Sequence, residues 1–125
     1  MVDILVLAER VKTAIELGES HFREFKSCWE GPPGQKKPRN KREIRQDICR
    51  TVVGFANADG GSLLVGVEDD GEISGLGSDK PEYLSFLESS ISDGIQGERG
   101  LENCQVHKLN LDGKSILYFS VLKST

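Results

Sequence analysis

Apolar residues recur at helical spacing from the start of the chain. Ile4, Leu7, Val11, Ala14 and Ile15 mark one face of a helix over residues 4–17, and Gly18 stands where a C-terminal cap glycine belongs. Residues 19–26 read as a turn entering a short strand, with Phe22 and Phe25 set among charged side chains. Residues 29–38, with Gly-Pro-Pro-Gly and then Lys-Lys-Pro, have loop composition. Asn40 followed three residues later by Glu43 resembles a capping box. The helix it opens carries Ile44, Ile48, Val52 and Phe55 on one face, with Ala56 alongside. It ends at Asn57-Ala58-Asp59-Gly60-Gly61, where paired glycines permit a sharp reversal.

Residues 62–67 are apolar on both faces and predict a central strand. Asp69-Asp70-Gly71 predicts a hairpin turn into a strand over 72–76. Asp79 with Glu82 predicts the cap of a helix holding Tyr83, Leu84, Phe86, Leu87 and Ile91, and residues 94–100 read as a loop. Strands over 106–111 and 116–122 flank an Asp112-Gly113 turn, a strong hairpin signal. The pattern is α+β: a single domain with a small mixed, mainly antiparallel sheet flanked by helices. At 125 residues the chain suits one domain. It stops directly after a strand, so residues 1–125 are expected to be the N-terminal fragment of a longer protein.

Composition narrows the setting. No run approaches the roughly 20 apolar residues of a membrane span, and Met1-Val2-Asp3-Ile4 lacks a basic leader segment. Cys28, Cys49 and Cys104 are odd in number and far apart, which suits buried thiols better than a disulfide framework or a zinc site. A cytoplasmic protein is expected. Net charge is −4, yet its distribution is uneven. Lys36, Lys37, Arg39, Lys41, Arg42 and Arg45 fall in one stretch against Glu43 alone, whereas acids gather at Glu68-Asp69-Asp70-Glu72 and over 82–102. A basic stretch of this kind suits phosphate contact, although a solvated loop and helix start has the same composition.

Three segments, in order, carry a family resemblance: Glu19-Ser20 with Glu24-Phe25-Lys26, then Phe55-Ala56-Asn57-Ala58-Asp59-Gly60-Gly61, then Leu63-Leu64-Val65-Gly66-Val67-Glu68-Asp69-Asp70-Gly71. Together they resemble the Schlafen-type AlbA-like domain, closely over about residues 17–76 and in element order beyond. The resemblance implies nucleic acid as partner and further domains in the full-length chain. In prokaryotic relatives such domains are described as DNA-binding modules. In Schlafens that cleave RNA, three acids form a metal-dependent site, and these positions fall on Glu19, Glu24 and Asp69. Glu68 stands where relatives often have Asp, and the Pro- and Lys-rich loop after Cys28 is long.

The implied function is a divalent-metal-dependent endonuclease, with RNA favoured over DNA. Glu19, Glu24 and Asp69 would hold Mg²⁺ or Mn²⁺, and Lys26 would neutralise developing charge. Glu19 and Glu24 are five apart, so they converge only if the chain bends between them. Each acid also has a plain reading, as a solvated carboxylate or, for Asp69, a turn former. One alternative is a non-catalytic DNA- or RNA-binding module of a larger regulatory or defence protein. Another is a protein-interaction or dimerisation domain, and two copies forming one basic groove would suit its size. Trp29 is a candidate base-stacking residue beside the basic stretch. His21 and His107 have no partner spacing.

Overall fold

In the computed structural model, which describes residues 3–94 and 103–123, α1 runs Ile4–Leu17 and turns Leu7 and Val11 inward. Asp3 caps it by accepting the Leu5 N–H at 2.9 Å. The chain then folds back through His21 and Phe22 into β1, Arg23–Lys26. The predicted loop over 29–38 is instead a ribbon, β2 (Trp29–Glu30) against β3 (Lys37–Pro38), closed around the Gly-Pro-Pro-Gly turn. Its prolines suit that outcome: Pro32 accepts the Gln35 N–H across the turn, and Pro38 sits in an edge strand where its missing donor costs little.

Helix α2, Lys41–Asn57, begins at Asn40, whose side chain accepts the Arg42 N–H at 2.8 Å. It buries Ile44, Ile48, Val52, Phe55 and Ala56, the face read from the sequence. The reversal that follows needs both glycines. Gly60 has φ 87°, and a Cβ on Gly61 would stand 2.6 Å from the Phe55 ring. Strand β4, Gly61–Val65, stops before residue 67 because Gly66 turns to φ 104° and its carbonyl accepts the Ser74 and Gly75 N–H groups. The expected strand over 72–76 is reduced to a single bridge between Val67 and Ile73.

Asp79 does not cap the next helix. The cap position is Lys80, with Pro81 opening α3 (Pro81–Glu88), and Ser89 separates it from α4 (Ser90–Gly94), so the predicted helix is broken before Ile91. The rest of the predicted 94–100 loop lies outside the described residues. Strands β5 (Cys104–Leu111) and β6 (Lys114–Val121) form the expected hairpin, with Asp112 and Gly113 both at positive φ, the geometry of a type I′ turn.

The four-stranded sheet has the order β1-β4-β6-β5. Strand β1 is parallel to β4, while β4–β6 and β5–β6 are antiparallel. Alternation sends Phe25, Leu64, Ile116 and Tyr118 to one face, under Leu7 and Val11 of α1. Leu63, Val65, Leu117 and Phe119 go to the other, against α2 and Leu87 of α3. The result is the mixed, mainly antiparallel α+β domain that the pattern implies, with two cores and an open edge at β1. No helix among the described residues is long and apolar enough to cross a membrane.

Candidate nucleic-acid interface

The chain does bend between Glu19 and Glu24. Ser20 and Arg23 exchange backbone hydrogen bonds across the turn, and Glu19 Oε1 accepts the Phe25 N–H at 2.9 Å. The bend therefore delivers Glu19 to the backbone of β1, where it fills an acceptor position along the exposed edge. Glu24 and Lys26 alternate with Phe25 and face α2, forming an ion pair at 3.2 Å. They line a cavity of about 370 Å³ with Asp47, Arg50 and Thr51 of α2 and with His21. Asp69 lies exposed on the turn after β4 and does not line that cavity.

Around Asp69 the acids build the turn itself. Asp70 accepts the Glu72 N–H at 2.9 Å, and Glu68 accepts the Ser74 hydroxyl. No three His, Cys, Asp or Glu side chains among the described residues come together to hold a cation. The expected convergence of Glu19, Glu24 and Asp69 on Mg²⁺ or Mn²⁺ is thus not the arrangement found. One carboxylate serves the backbone, one is paired with lysine, and one stands at a turn.

The six basic residues divide into two groups. Arg39 is structural: it donates to the Ser27 carbonyl at 2.8 Å and pairs with Asp47 at 2.7 Å, tying the ribbon to α2. Arg45 is also turned inward, lying 3.5 Å over the Phe86 ring and donating to the Phe86 carbonyl and Ser89 hydroxyl. Lys41 covers the same ring at 4.9 Å. Lys36, Lys37 and Arg42 are exposed, and no ion pair holds them among the described residues. Lys36 borders a cavity with Trp29, Glu68, Asp70 and Lys114. Trp29 is half-buried, and its Nε1–H donates to the Ser74 and Gly75 carbonyls, which anchors the ribbon to the turn after β4.

Asp47 and Arg50 were missed as site candidates. They sit on the polar side of α2, and only the placement of β1 beside that helix brings them to Glu24 and Lys26. Of the three thiols expected to be buried, Cys28 is, which pushes its pKa from 9.0 to about 11, whereas Cys49 and Cys104 are half-buried. Burial likewise raises Cys104 to about 11.

Two solved structures share the fold. The DIP2311 protein from Corynebacterium diphtheriae superposes with a TM-score of 0.65 at 22% identity, over 94% of this chain and 25% of that one. The chain thus spans a quarter of the length of that relative. The N-terminal domain of a Nitrosomonas europaea protein, named as related to the ATP-dependent DNA helicase RecG, gives 0.58 at 21% identity, over 100% of this chain and 76% of that one. No curated protein matches the chain. The family described as "Schlafen, AlbA_2" matches residues 19–125, which include every element from β1 to β6. On that match the chain belongs to the Schlafen AlbA_2 family.

Proposed function

We propose that this chain is a nucleic-acid-binding domain of a larger protein, contacting phosphates through the β2–β3 ribbon and the start of α2. The observation that carries this reading is the division of labour among the basic residues. Arg39 and Arg45 fix the ribbon and α2 in place. Lys36, Lys37 and Arg42 then present charge from a rigid support to solvent, without carboxylate partners among the described residues. A preorganised cation set loses less freedom on binding a phosphate backbone than three side chains on a mobile loop would. Family membership and the helicase-related name of one structural neighbour support the same reading.

Counterion release gives the test. Affinity for single-stranded RNA should fall with salt at a log–log slope of about −0.7 per phosphate neutralised, and for duplex DNA about −0.9. Replacing Lys36, Lys37 and Arg42 together with Gln should make either slope shallower by about two to three units and weaken binding at low salt. Unchanged slope and affinity in the triple variant would refute this surface.

A metal-dependent endonuclease is the second reading, and the observation that favours it is that Glu24, Lys26 and Asp47 line one cavity. It requires Glu19 and Asp69 to leave their present positions. Incubating RNA and duplex DNA with Mn²⁺ or EDTA distinguishes the readings. Cleavage lost in both Glu24→Gln and Asp69→Asn would establish the nuclease, whereas binding indifferent to both substitutions belongs to the binding module.

A further inference from the structure

A cavity on the opposite face of the sheet is not used by the interface proposed above. Arg23 is paired in register with Ser62, and Ser62 with Ser120. These residues make a polar row on the α1 side, next to the buried row of Phe25, Leu64 and Tyr118. Helix α1 covers the apolar row and leaves the polar one open. Between them lies a space of about 380 Å³, bounded by Arg10 and Thr13 of α1, Phe22, Arg23, Ser62 and Tyr118. That size falls within the range of about 300–1,000 Å³ seen for small-molecule sites.

Its chemistry is one-sided. No Asp or Glu lines the cavity, and neither arginine makes an ion pair among the described residues. Arg23 Nε donates to the Gly18 carbonyl, which orients the guanidinium and leaves its two Nη groups without a hydrogen-bond or ion-pair partner among the described residues. Ser62 and Tyr118 place hydroxyl oxygens 3.5 Å apart on the same wall. Phe22, 58% exposed, stands at the rim with the Arg23 guanidinium 5.2 Å from its ring centroid. Two cations around one cavity repel each other unless an anion joins them, and guanidinium groups match the oxygens of phosphate. An exposed aromatic face beside them suits a base.

We propose that this cavity binds a nucleoside monophosphate unit, with Arg10 and Arg23 on the phosphate and Phe22 against the base. Free mononucleotide and the 5′-phosphorylated end of a single strand offer the same chemistry. Arg10 precedes the family-matched residues 19–125, so the site joins the family's sheet to the helix in front of it. The inference extends the proposed function to the other face and does not depend on Lys36, Lys37 or Arg42.

The test is amide chemical-shift mapping on the whole chain. The probes are adenosine 5′-monophosphate, adenosine, inorganic phosphate, and one short single-stranded RNA carrying either a 5′-phosphate or a 5′-hydroxyl. The monophosphate should shift the amides of Arg23, Ser62 and Tyr118, while adenosine alone does so weakly. Arg10→Gln, at an exposed helix position that leaves the fold intact, should weaken the monophosphate roughly tenfold or more. Phe22→Ala should weaken the monophosphate and spare inorganic phosphate. A response to the free monophosphate assigns the site to mononucleotides. A response confined to the 5′-phosphorylated RNA assigns it to strand ends. The proposal is overturned if none of the phosphate probes moves these amides, or if Arg10→Gln binds as tightly as the parent. Because the salt-slope measurement uses different residues, its failure leaves this result standing, and the reverse holds too.

Discussion

Replacing Glu19 separates a structural carboxylate from a metal ligand. Strand β1 lies at the edge of the sheet, and its pairing with β4 uses the Phe22 and Lys26 carbonyls, which accept the Ser62 and Gly66 N–H groups. The N–H groups of Arg23 and Phe25 therefore point outward. Ser20 takes the first at 3.3 Å and Glu19 the second at 2.9 Å. Hydrogen bonds to a charged partner contribute about 1.5–3 kcal/mol, and an exposed site loses part of that because water can replace the acceptor. Glu19→Ala should accordingly destabilise by about 1 kcal/mol. With a urea slope of about 2 kcal/mol/M, the midpoint falls by about 0.5 M. Glu19→Gln keeps a carbonyl oxygen in reach of the Phe25 N–H and should stay within about 0.5 kcal/mol of the parent. Urea titration followed by the fluorescence of Trp29, the single tryptophan, measures both, because the indole is anchored to the turn after β4. Mn²⁺ should leave all three midpoints unmoved. The reasoning fails if Glu19→Ala is as stable as the parent. It fails equally if Mn²⁺ stabilises the parent but neither variant, since a metal ligand loses its charge in both substitutions.

Further consequences follow from individual contacts. Among the described residues, Arg39→Ala leaves Asp47 with only the longer 3.8 Å ion pair to Arg50 and frees the Ser27 carbonyl. It should cost about 2 kcal/mol in the same denaturation, and a loss below about 0.5 kcal/mol would contradict the structural role given to Arg39. Cys28 links stability to pH. Its folded-state pKa is raised from 9.0 to about 11 by burial, so its contribution is complete below pH 9.0 and disappears as pH rises toward about 11. That two-unit shift corresponds to about 2–3 kcal/mol. Tyr83, raised to about 12 chiefly by burial, adds in the same direction at higher pH. Cys28→Ala should flatten the alkaline decline seen by circular dichroism, and an unchanged decline would exclude the thiol as its source. Gly66→Ala would place a Cβ 3.1 Å from Ile116 at φ 104°. A cost of about 1–3 kcal/mol is expected, read as a lowered melting temperature, and a neutral effect would show that the turn after β4 can relax.

The elements with a strong period were legible in the sequence, because burial imposes the same spacing that reveals it. The α1 face, the α2 face and the β5–β6 hairpin are examples. What failed to show was set by contacts between distant residues. Nothing local in residues 29–38 announces a ribbon; its pairing depends on Trp29 being held by Ser74 and Gly75, some 45 residues away. Asp79 satisfies the cap rule and Lys80 does not, but Pro81 is accepted at the first helical position, so the boundary falls there and Lys80 takes the cap position without a side-chain cap bond. The Glu19 bend was legible as a requirement, but its purpose was not. Whether a carboxylate meets a cation or an edge N–H depends on which partner the fold has left unsatisfied, and that edge exists only once β1 lies beside β4.

The same logic bears on how a chain of net charge −4 would meet phosphate on the two faces proposed above. Several of its acids are engaged where they stand. Glu19 serves the β1 edge, Asp47 holds Arg39, and Glu68 and Asp70 build the turn after β4. A carboxylate accepting hydrogen bonds from its own backbone has its charge partly compensated close by, so its field weakens quickly with distance. Among the cations without an ion pair in the described residues, Lys36, Lys37 and Arg42 lie on the ribbon and α2, and Arg10 and Arg23 on the α1 side. The sheet lies between the α1 face and the α2 face, so one phosphate cannot engage both sets. A strand that reaches both by way of the open β1 edge passes Glu24 and Lys26 on one side and Arg23 on the other. Substituting Lys26 should therefore weaken a strand long enough to span both faces more than a short one, whereas equal losses for the two lengths would place the bound strand on a single face.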